Sequence, residues 1–301
     1  MINMASFDVI VDSVSDMPLE IRQEYSIDYF ANEFYTGDKR YTASLDWDQI
    51  SAHDFYESMR KGVRYKTTQV PEKTMTEKLR SHLSAHRDVI YIACSSALSA
   101  SVKSAYKIRD ELKSEFPDRK VVCIDALICG MSQSMIAMEC AKMRDAGKTV
   151  EEAEEWVEAN KFFYNQCNTF ETLSYLKEAG KITASSAFFG NLFAVKPIII
   201  SDTKGQNLAI TKVKGRKSSF IEIADRVSNY IVSPEKQTIW LGHADCFFDA
   251  EELEMELKKK IPGAKIKKYV VGSIIGASAG PGTLVVNYFG KSKSEQMSDI
   301  K

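Results

Sequence analysis

The sequence predicts an α/β protein of two α/β domains, the first built on a mainly parallel, doubly wound sheet. Its 301 residues are enough for two domains of ordinary size, and one large α/β domain is the alternative. Hydrophobic residues make up 44% and charged residues 27%, which is typical of a globular chain and not of a disordered one. Strand and helix patterns alternate in the first half, as in a parallel sheet, and this pattern changes near residue 165. We therefore predict domains at 1–164 and 165–301.

The first domain begins with a buried strand at residues 7–11, after which Pro18 starts a short helix. Thr149 and Glu152 have the spacing of a capping box at the start of a later helix. The remaining predicted elements are helices at 48–61, 72–85, 102–116, 131–146 and 150–163, and strands at 89–93 and 120–124.

The second domain opens with a predicted helix at 170–179 that ends at Gly180. A turn at 202–205 joins strands at 196–200 and 208–213 as a hairpin. The glycine-rich segment 276–282 is expected to be a turn. The other expected elements are helices at 220–232 and 250–261 and strands at 238–242, 265–271 and 284–289.

Charge and composition exclude several classes of protein. The net charge of −1 argues against a nucleic-acid partner, which usually needs a basic face. No apolar run reaches the ~20 residues needed to cross a bilayer, and the N-terminus lacks a signal-peptide pattern. The six cysteines show no C-x-x-C pair, which indicates buried, reduced thiols and a cytoplasmic location. His82 and His86 have no third ligand, so we expect no metal and expect both to be solvated.

Three loops rich in side-chain oxygens follow or precede strands of the first domain, at 12–16, 67–69 and 95–101. Ligands of open parallel sheets bind beyond the carboxyl ends of the strands, so these loops could form one site. The most informative is Ser95–Ser101, between a strand and a helix, where backbone N–H groups and hydroxyls favour an anion such as a carboxylate or phosphate. Simple helix capping by serine is the alternative.

Two further segments allow a functional and a structural interpretation. Gly276–Gly280 matches G-x-S-x-G, but no histidine follows Ser278 and an apolar strand comes next, so a glycine turn is favoured over a nucleophile. The apolar segment 187–195 is either core or one wall of a hydrophobic tunnel.

In this order, the motifs resemble those of the DegV family of bacterial lipid-binding proteins. The segments that carry the resemblance are VDSVSDMP at 11–18, TTQ at 67–69, SSALSAS at 95–101, LSYLKEAGKI at 173–182, KPI at 196–198 and GASAGPG at 276–282. The resemblance covers residues 7–290. It departs from the family where Ser278 replaces a histidine, Lys181 replaces an arginine and Ala100 replaces a glycine.

The resemblance implies that two α/β domains hold one long-chain fatty acid between them, with the acyl chain in a tunnel. Such proteins act as carriers that present the fatty acid carboxylate to a separate fatty acid kinase, and ligand exchange could involve peripheral membrane contact. No cofactor is expected beyond the bound fatty acid. The predicted ligand-binding residues are Thr67, Thr68, Ser95, Ser96, Ser99, Ser278 and Gly280, and the predicted tunnel residues are Phe188, Phe189, Leu192 and Phe193.

Two other functions stay open at the level of sequence. An enzyme acting on a phosphorylated or acyl substrate could use the same loops as an anion site, with turnover that depends on Asp12 or Asp16 and Mg²⁺. A purely regulatory interaction module would show neither ligand nor turnover. The leading hypothesis is a non-catalytic fatty-acid-binding protein, because no credible catalytic set is present.

Overall fold

The computed structural model describes residues 7–183 and 195–300. The strands in these ranges are β1 Phe7–Asp12, β2 Ile27–Phe30, β3 Glu33–Thr36, β4 Lys39–Thr42, β5 Lys66–Thr68, β6 Asp88–Ala93, β7 Val121–Asp125, β8 Tyr164–Thr169, β9 Val195–Ser201, β10 Asn207–Lys214, β11 Thr238–His243, β12 Lys265–Val270 and β13 Leu284–Phe289. The helices are α1 Leu19–Glu24, α2 Ala52–Arg60, α3 Glu72–Ser84, α4 Ser101–Leu112, α5 Met131–Asp145, α6 Val150–Asn160, α7 Ser174–Glu178, α8 Arg216–Tyr230, α9 Phe247–Lys260, α10 Ser273–Ala279 and α11 Lys293–Ser298.

The first half forms a parallel sheet in the order β2-β1-β6-β7. Its central strands are apolar on both faces, since helices cover both. Val9 and Ile90 lie side by side in the sheet and pack towards α5 and α6. Ile10 and Tyr91 point the other way, towards α3 and α4. This arrangement confirms the predicted doubly wound parallel sheet.

The second half is a mixed six-stranded sheet in the order β10-β9-β8-β13-β11-β12. The predicted hairpin is present, with Ser201 of β9 opposite Asn207 of β10 in an antiparallel pair. One face packs on α8 and α9 through Ile198, Ile200 and Leu253. The other face looks towards the first half. β12 forms one edge of the sheet and carries exposed lysines.

The largest hydrophobic cluster contains residues of both halves. Tyr56 of α2 packs in the same cluster as Ile274 and Ala277 of α10 and Val285 of β13. The Tyr56 hydroxyl donates a hydrogen bond of 2.6 Å to the backbone oxygen of Val271. The two sheets are therefore joined by shared core packing, and the domain boundary at residue 164 stays a prediction.

Several expectations were wrong. The segment expected as a glycine turn is helical up to Ala279, and only Gly280 and Gly282 have left-handed backbone angles. The helix expected at 170–179 is limited to α7, and the small antiparallel sheet β4-β3-β5 was not anticipated.

Of two further polar features, only the second differs from expectation. The polar tail after Lys291 folds as α11, and the buried Lys293 donates from Nζ to the Leu127 oxygen at 2.6 Å. His82 is not solvated: its Nδ1 lies 2.7 Å from Asp8 Oδ2 and its Nε2 lies 3.3 Å from Asp28 Oδ2. No helix in the described parts of the chain is both long and apolar enough to span a bilayer.

Candidate functional site

A cavity of about 370 Å³ lies where the loops of the parallel sheet meet β8, α7, α10 and β13. Its size falls within the range of small-molecule sites, roughly 300–1,000 Å³. The polar side chains of its wall are Asn32, Thr67, Thr68, Gln69, Ser96, Ser99, Gln166, Asn168, Lys181, Asn207 and Ser278. The larger apolar side chains are Val14, Leu98, Phe170, Leu176, Ile274, Ile275 and Val285.

The serines of the loop after β6 have two different roles: some hold the loop in place by hydrogen bonds, and others line the cavity. Ser95 is fully buried, and its Oγ accepts a hydrogen bond of 3.2 Å from the Ala97 N–H. Ser101 Oγ accepts one of 3.2 Å from the Val70 N–H. These two serines hold the loop, whereas Ser96 and Ser99 face the cavity.

The second hydroxyl loop is fixed by the small antiparallel sheet. Thr67 of β5 pairs with Phe34 of β3, and the Asn32 side chain donates a bond of 3.2 Å to the Thr68 oxygen. Thr68 Oγ1 in turn donates to the Gln69 oxygen at 3.0 Å. Both threonines line the cavity, as does Gln69.

Lys181 supplies the cationic group of the cavity wall. Its Nζ donates a hydrogen bond to the Leu98 oxygen in the serine loop, so it ties the second half to the first. Its own backbone oxygen accepts a bond of 2.8 Å from the Asn207 side chain. Lys181 therefore places a cation on the wall that the serine loop also lines.

The helix α10 brings Ser278 to the cavity beside Ile274 and Ile275. Gly280 ends this helix and packs against Tyr175, where an added Cβ would stand 2.4 Å from the ring. Gly280 is not among the residues that line the cavity, and its role in ligand binding stays a prediction. This close approach and the φ of +85° explain why residue 280 is a glycine.

The two aspartates of the first loop do not reach the cavity. Asp12 is fully buried and accepts hydrogen bonds from the Tyr91 hydroxyl (2.7 Å), the Cys94 N–H (3.0 Å), the Gln133 side chain (3.2 Å) and the Val14 N–H (3.1 Å). Burial raises the pKa of Asp12 and raises that of Asp16 well above its usual range. Their burial argues against the metal-dependent turnover considered for them above.

The thiols of the cavity wall are buried as expected. Cys94 and Cys129 both line it, and burial raises the pKa of Cys129 to about 12. A thiol with so high a pKa is a poor nucleophile at neutral pH. Among the described residues, no three His, Cys, Asp or Glu side chains converge as a metal site would require.

Of the predicted ligand-binding residues, the structure brings Thr67, Thr68, Ser96, Ser99 and Ser278 to one cavity. Ser95 and Gly280 lie behind its wall. The predicted tunnel residues Phe188, Phe189, Leu192 and Phe193 lie outside the described residues.

Sequence reasoning missed the amide side chains of the wall, Asn32, Gln166, Asn168 and Asn207. Gln166 and Asn168 alternate with Cys167 and Thr169 along β8, so a period-two pattern was the available signal.

The chain is similar to proteins of known fold over nearly its whole length. A family model described as "Uncharacterised protein, DegV family" matches residues 6–291. A DegV domain-containing protein of Clostridium perfringens is 30% identical over 290 residues, which cover 96% of this chain and 99% of that protein.

Two solved structures show the same fold. A stearic acid-binding protein from Eubacterium ventriosum is 18% identical with a TM-score of 0.83, covering 96% of this chain and 99% of that one. DegV of Bacillus subtilis, described as a fatty acid binding protein, is 24% identical with a TM-score of 0.81, covering 95% and 100%. With the family model matched over residues 6–291, the chain belongs to the DegV family.

Proposed function

We propose that this protein binds a long-chain fatty acid in the cavity between its two halves. The observation that carries the proposal is that hydroxyls of two separate loops, Thr67–Thr68 and Ser96–Ser99, face the same cavity as Lys181 and an apolar wall. Hydroxyls and an ammonium group donate hydrogen bonds, which a carboxylate needs. Ser278, on α10, faces the same cavity.

The apolar wall would supply most of the affinity. Burying hydrocarbon contributes about 0.8 kcal/mol per CH₂, so ten methylenes give roughly 8 kcal/mol before the cost of association. A few donors then suffice to orient the head group. The fatty acid ligands of the Eubacterium ventriosum and Bacillus subtilis proteins support this choice of ligand.

We further propose that the protein is a cytoplasmic, non-catalytic carrier that presents the carboxylate to a fatty acid kinase and exchanges its ligand at a membrane surface. The buried free cysteines support a reducing compartment. Ser278 stands where the family has a histidine, and it donates a hydrogen bond without the charge of an imidazole. Lys181 keeps a positive charge but contacts a carboxylate through one point rather than two.

Native mass spectrometry of the purified protein tests ligand binding directly, with the expected result being a bound mass of a long-chain acid.

Head-group contact is tested by Thr67→Val combined with Ser96→Ala, measured with a free acid and its methyl ester. We expect the double variant to weaken binding of the free acid about tenfold and to leave the ester nearly unchanged. The matched control, Thr74→Val with Ser81→Ala, changes exposed residues of α3. Equal losses for acid and ester would count against a carboxylate at these hydroxyls.

The carrier role is tested with a purified fatty acid kinase and ATP. The acid-loaded protein should allow acyl phosphate to form, trapped as the hydroxamate, and the double variant should slow its formation. Absence of acyl phosphate, while a carrier known to serve that kinase supports it, would contradict the kinase role but not fatty acid binding.

A further inference from the structure

The strand β8 presents amides to the cavity where a simple hydrocarbon tunnel would be apolar. Side chains alternate along a strand, so Gln166, Asn168 and Phe170 share one face, and all three line the cavity. Cys167, between them, points into the core on the other side with Ile198 and Ile200. Val285, which pairs with Asn168 across the sheet, also lines the cavity.

Two of the amide side chains of this wall are hydrogen-bonded to each other. Gln166 Nε2 donates to Ser201 Oγ at 2.8 Å and to Asn207 Oδ1 at 3.3 Å. Asn207 Nδ2 donates to the Lys181 oxygen at 2.8 Å. These contacts explain Gln166 and Asn207 as structural supports of the wall.

Asn168 is different. The residue is 4% exposed, and its Oδ1 atom has no hydrogen-bond partner among the residues that the structure describes. A buried acceptor without a donor is destabilising, and nearly all such groups in native proteins find a partner. Oδ1 itself has almost no accessible surface, so a bound ligand can supply that partner once the amide turns about χ2 towards the cavity that Asn168 lines.

We propose that Asn168 recognises a hydroxyl group on the acyl chain, so that the preferred ligand is a hydroxy fatty acid. This inference rests on the proposed function. The carboxylate end belongs to the hydroxyl loops and has no hydrogen to donate, and an alkyl chain has neither donor nor acceptor. A hydroxyl both donates and accepts, so it satisfies Asn168 in either orientation of its amide.

The test measures binding of octadecanoic acid and of its 3-, 10- and 12-hydroxy derivatives to the delipidated protein by calorimetry. At least one hydroxy isomer should bind about fivefold to tenfold more tightly than octadecanoic acid, the gain expected for satisfying one buried acceptor. Asn168→Leu, which keeps the branched shape of the side chain but has no polar atom, should remove this preference and leave octadecanoic acid binding at least as tightly as before.

Thr169→Val is the matched control. It removes another buried, unpartnered oxygen from the next residue of β8, on the opposite face of the strand. It should keep the preference for the hydroxy acid. If octadecanoic acid binds as tightly as every hydroxy isomer, the hydroxyl proposal is wrong while fatty acid binding stands. A preference that survives in Asn168→Leu would overturn the assignment to Asn168. Binding of none of the four acids would overturn the proposed function itself.

Discussion

Gly205, in the hairpin turn of the second half, lies so close to Ser95 in the first that a Cβ on Gly205 would stand 2.1 Å from Ser95 Oγ. The same Cβ would lie 2.8 Å from the backbone of Leu127. A glycine thus allows the hairpin turn to reach the loop that holds the serine cluster. The loop geometry of the candidate site therefore depends on a residue more than one hundred positions away in the chain.

We predict that Gly205→Ala lowers the free energy of unfolding by more than about 2 kcal/mol, since a left-handed residue with a Cβ costs about 1–2 kcal/mol and the contact with Leu127 adds to it. Gly147→Ala is the control, because Gly147 has a similar φ of +77° and nothing within 4 Å of its Cβ position. Urea denaturation of both variants gives the comparison. Equal losses would show that the contact with Ser95 and Leu127 is unimportant.

Asp12→Asn is expected to destabilise the fold by about 2 kcal/mol or more, because the carboxylate accepts four buried hydrogen bonds and an amide offers only one oxygen. Thermal and urea unfolding measure the loss. The exposed Asp118→Asn serves as the control and should change little. A variant as stable as the wild-type protein would contradict a structural role for Asp12.

His82 should make stability depend on pH in the alkaline range. Hydrogen bonds with Asp28 and Asp8 raise the pKa of His82 from 6.5 to about 9. The folded state therefore binds the proton more tightly than the unfolded state, and this stabilisation is fully present below pH 6.5 and lost as the pH rises through 9. Unfolding measured from pH 6 to 10 should show the wild-type advantage over His82→Gln shrinking across this window. The exposed His86→Asn variant should follow the wild-type curve. A difference in unfolding free energy between the wild-type protein and His82→Gln that does not change with pH would refute the linkage.

Lys293 has the opposite dependence. Burial lowers its pKa from 10.5 to about 7, so between these values the unfolded state binds more protons and stability rises with pH. Lys293→Met removes this contribution of the lysine to the pH dependence of stability. The free energy of unfolding of the variant, relative to that of the wild-type protein, should be highest near pH 7 and should fall progressively towards pH 10. A difference that does not change with pH would show that Lys293 stays charged in the folded protein.

The sequence predicted the parallel sheet because three of its strands, β1, β6 and β7, are apolar runs of five or six residues between helices. The small antiparallel sheet escaped prediction because β3, β4 and β5 have only three or four residues each. Gly37-Asp38, a two-residue hairpin turn, was the signal that could have indicated β3 and β4.

The remaining errors come from contacts between distant residues. Gly276 and Gly280 suggested a turn, yet Gly276 lies inside α10. It is a glycine there because a Cβ would stand 2.4 Å from the Tyr56 hydroxyl. His82 meets Asp8, 74 positions earlier, and local pattern carries no information on such a pair. The hydroxyl loops were recognisable, whereas the amide of Asn168 becomes informative only once its missing partner is known.

Val14 and Val285 face one cavity although they stand near opposite ends of the chain. A growing polypeptide emerges from the ribosome with its N-terminal part first. The first half can form its parallel sheet early, but β13 is synthesised after every other described segment that lines the cavity. The cavity can therefore close only after translation has passed β13, and a chain released before that point would expose the hydroxyl loops without an enclosed pocket.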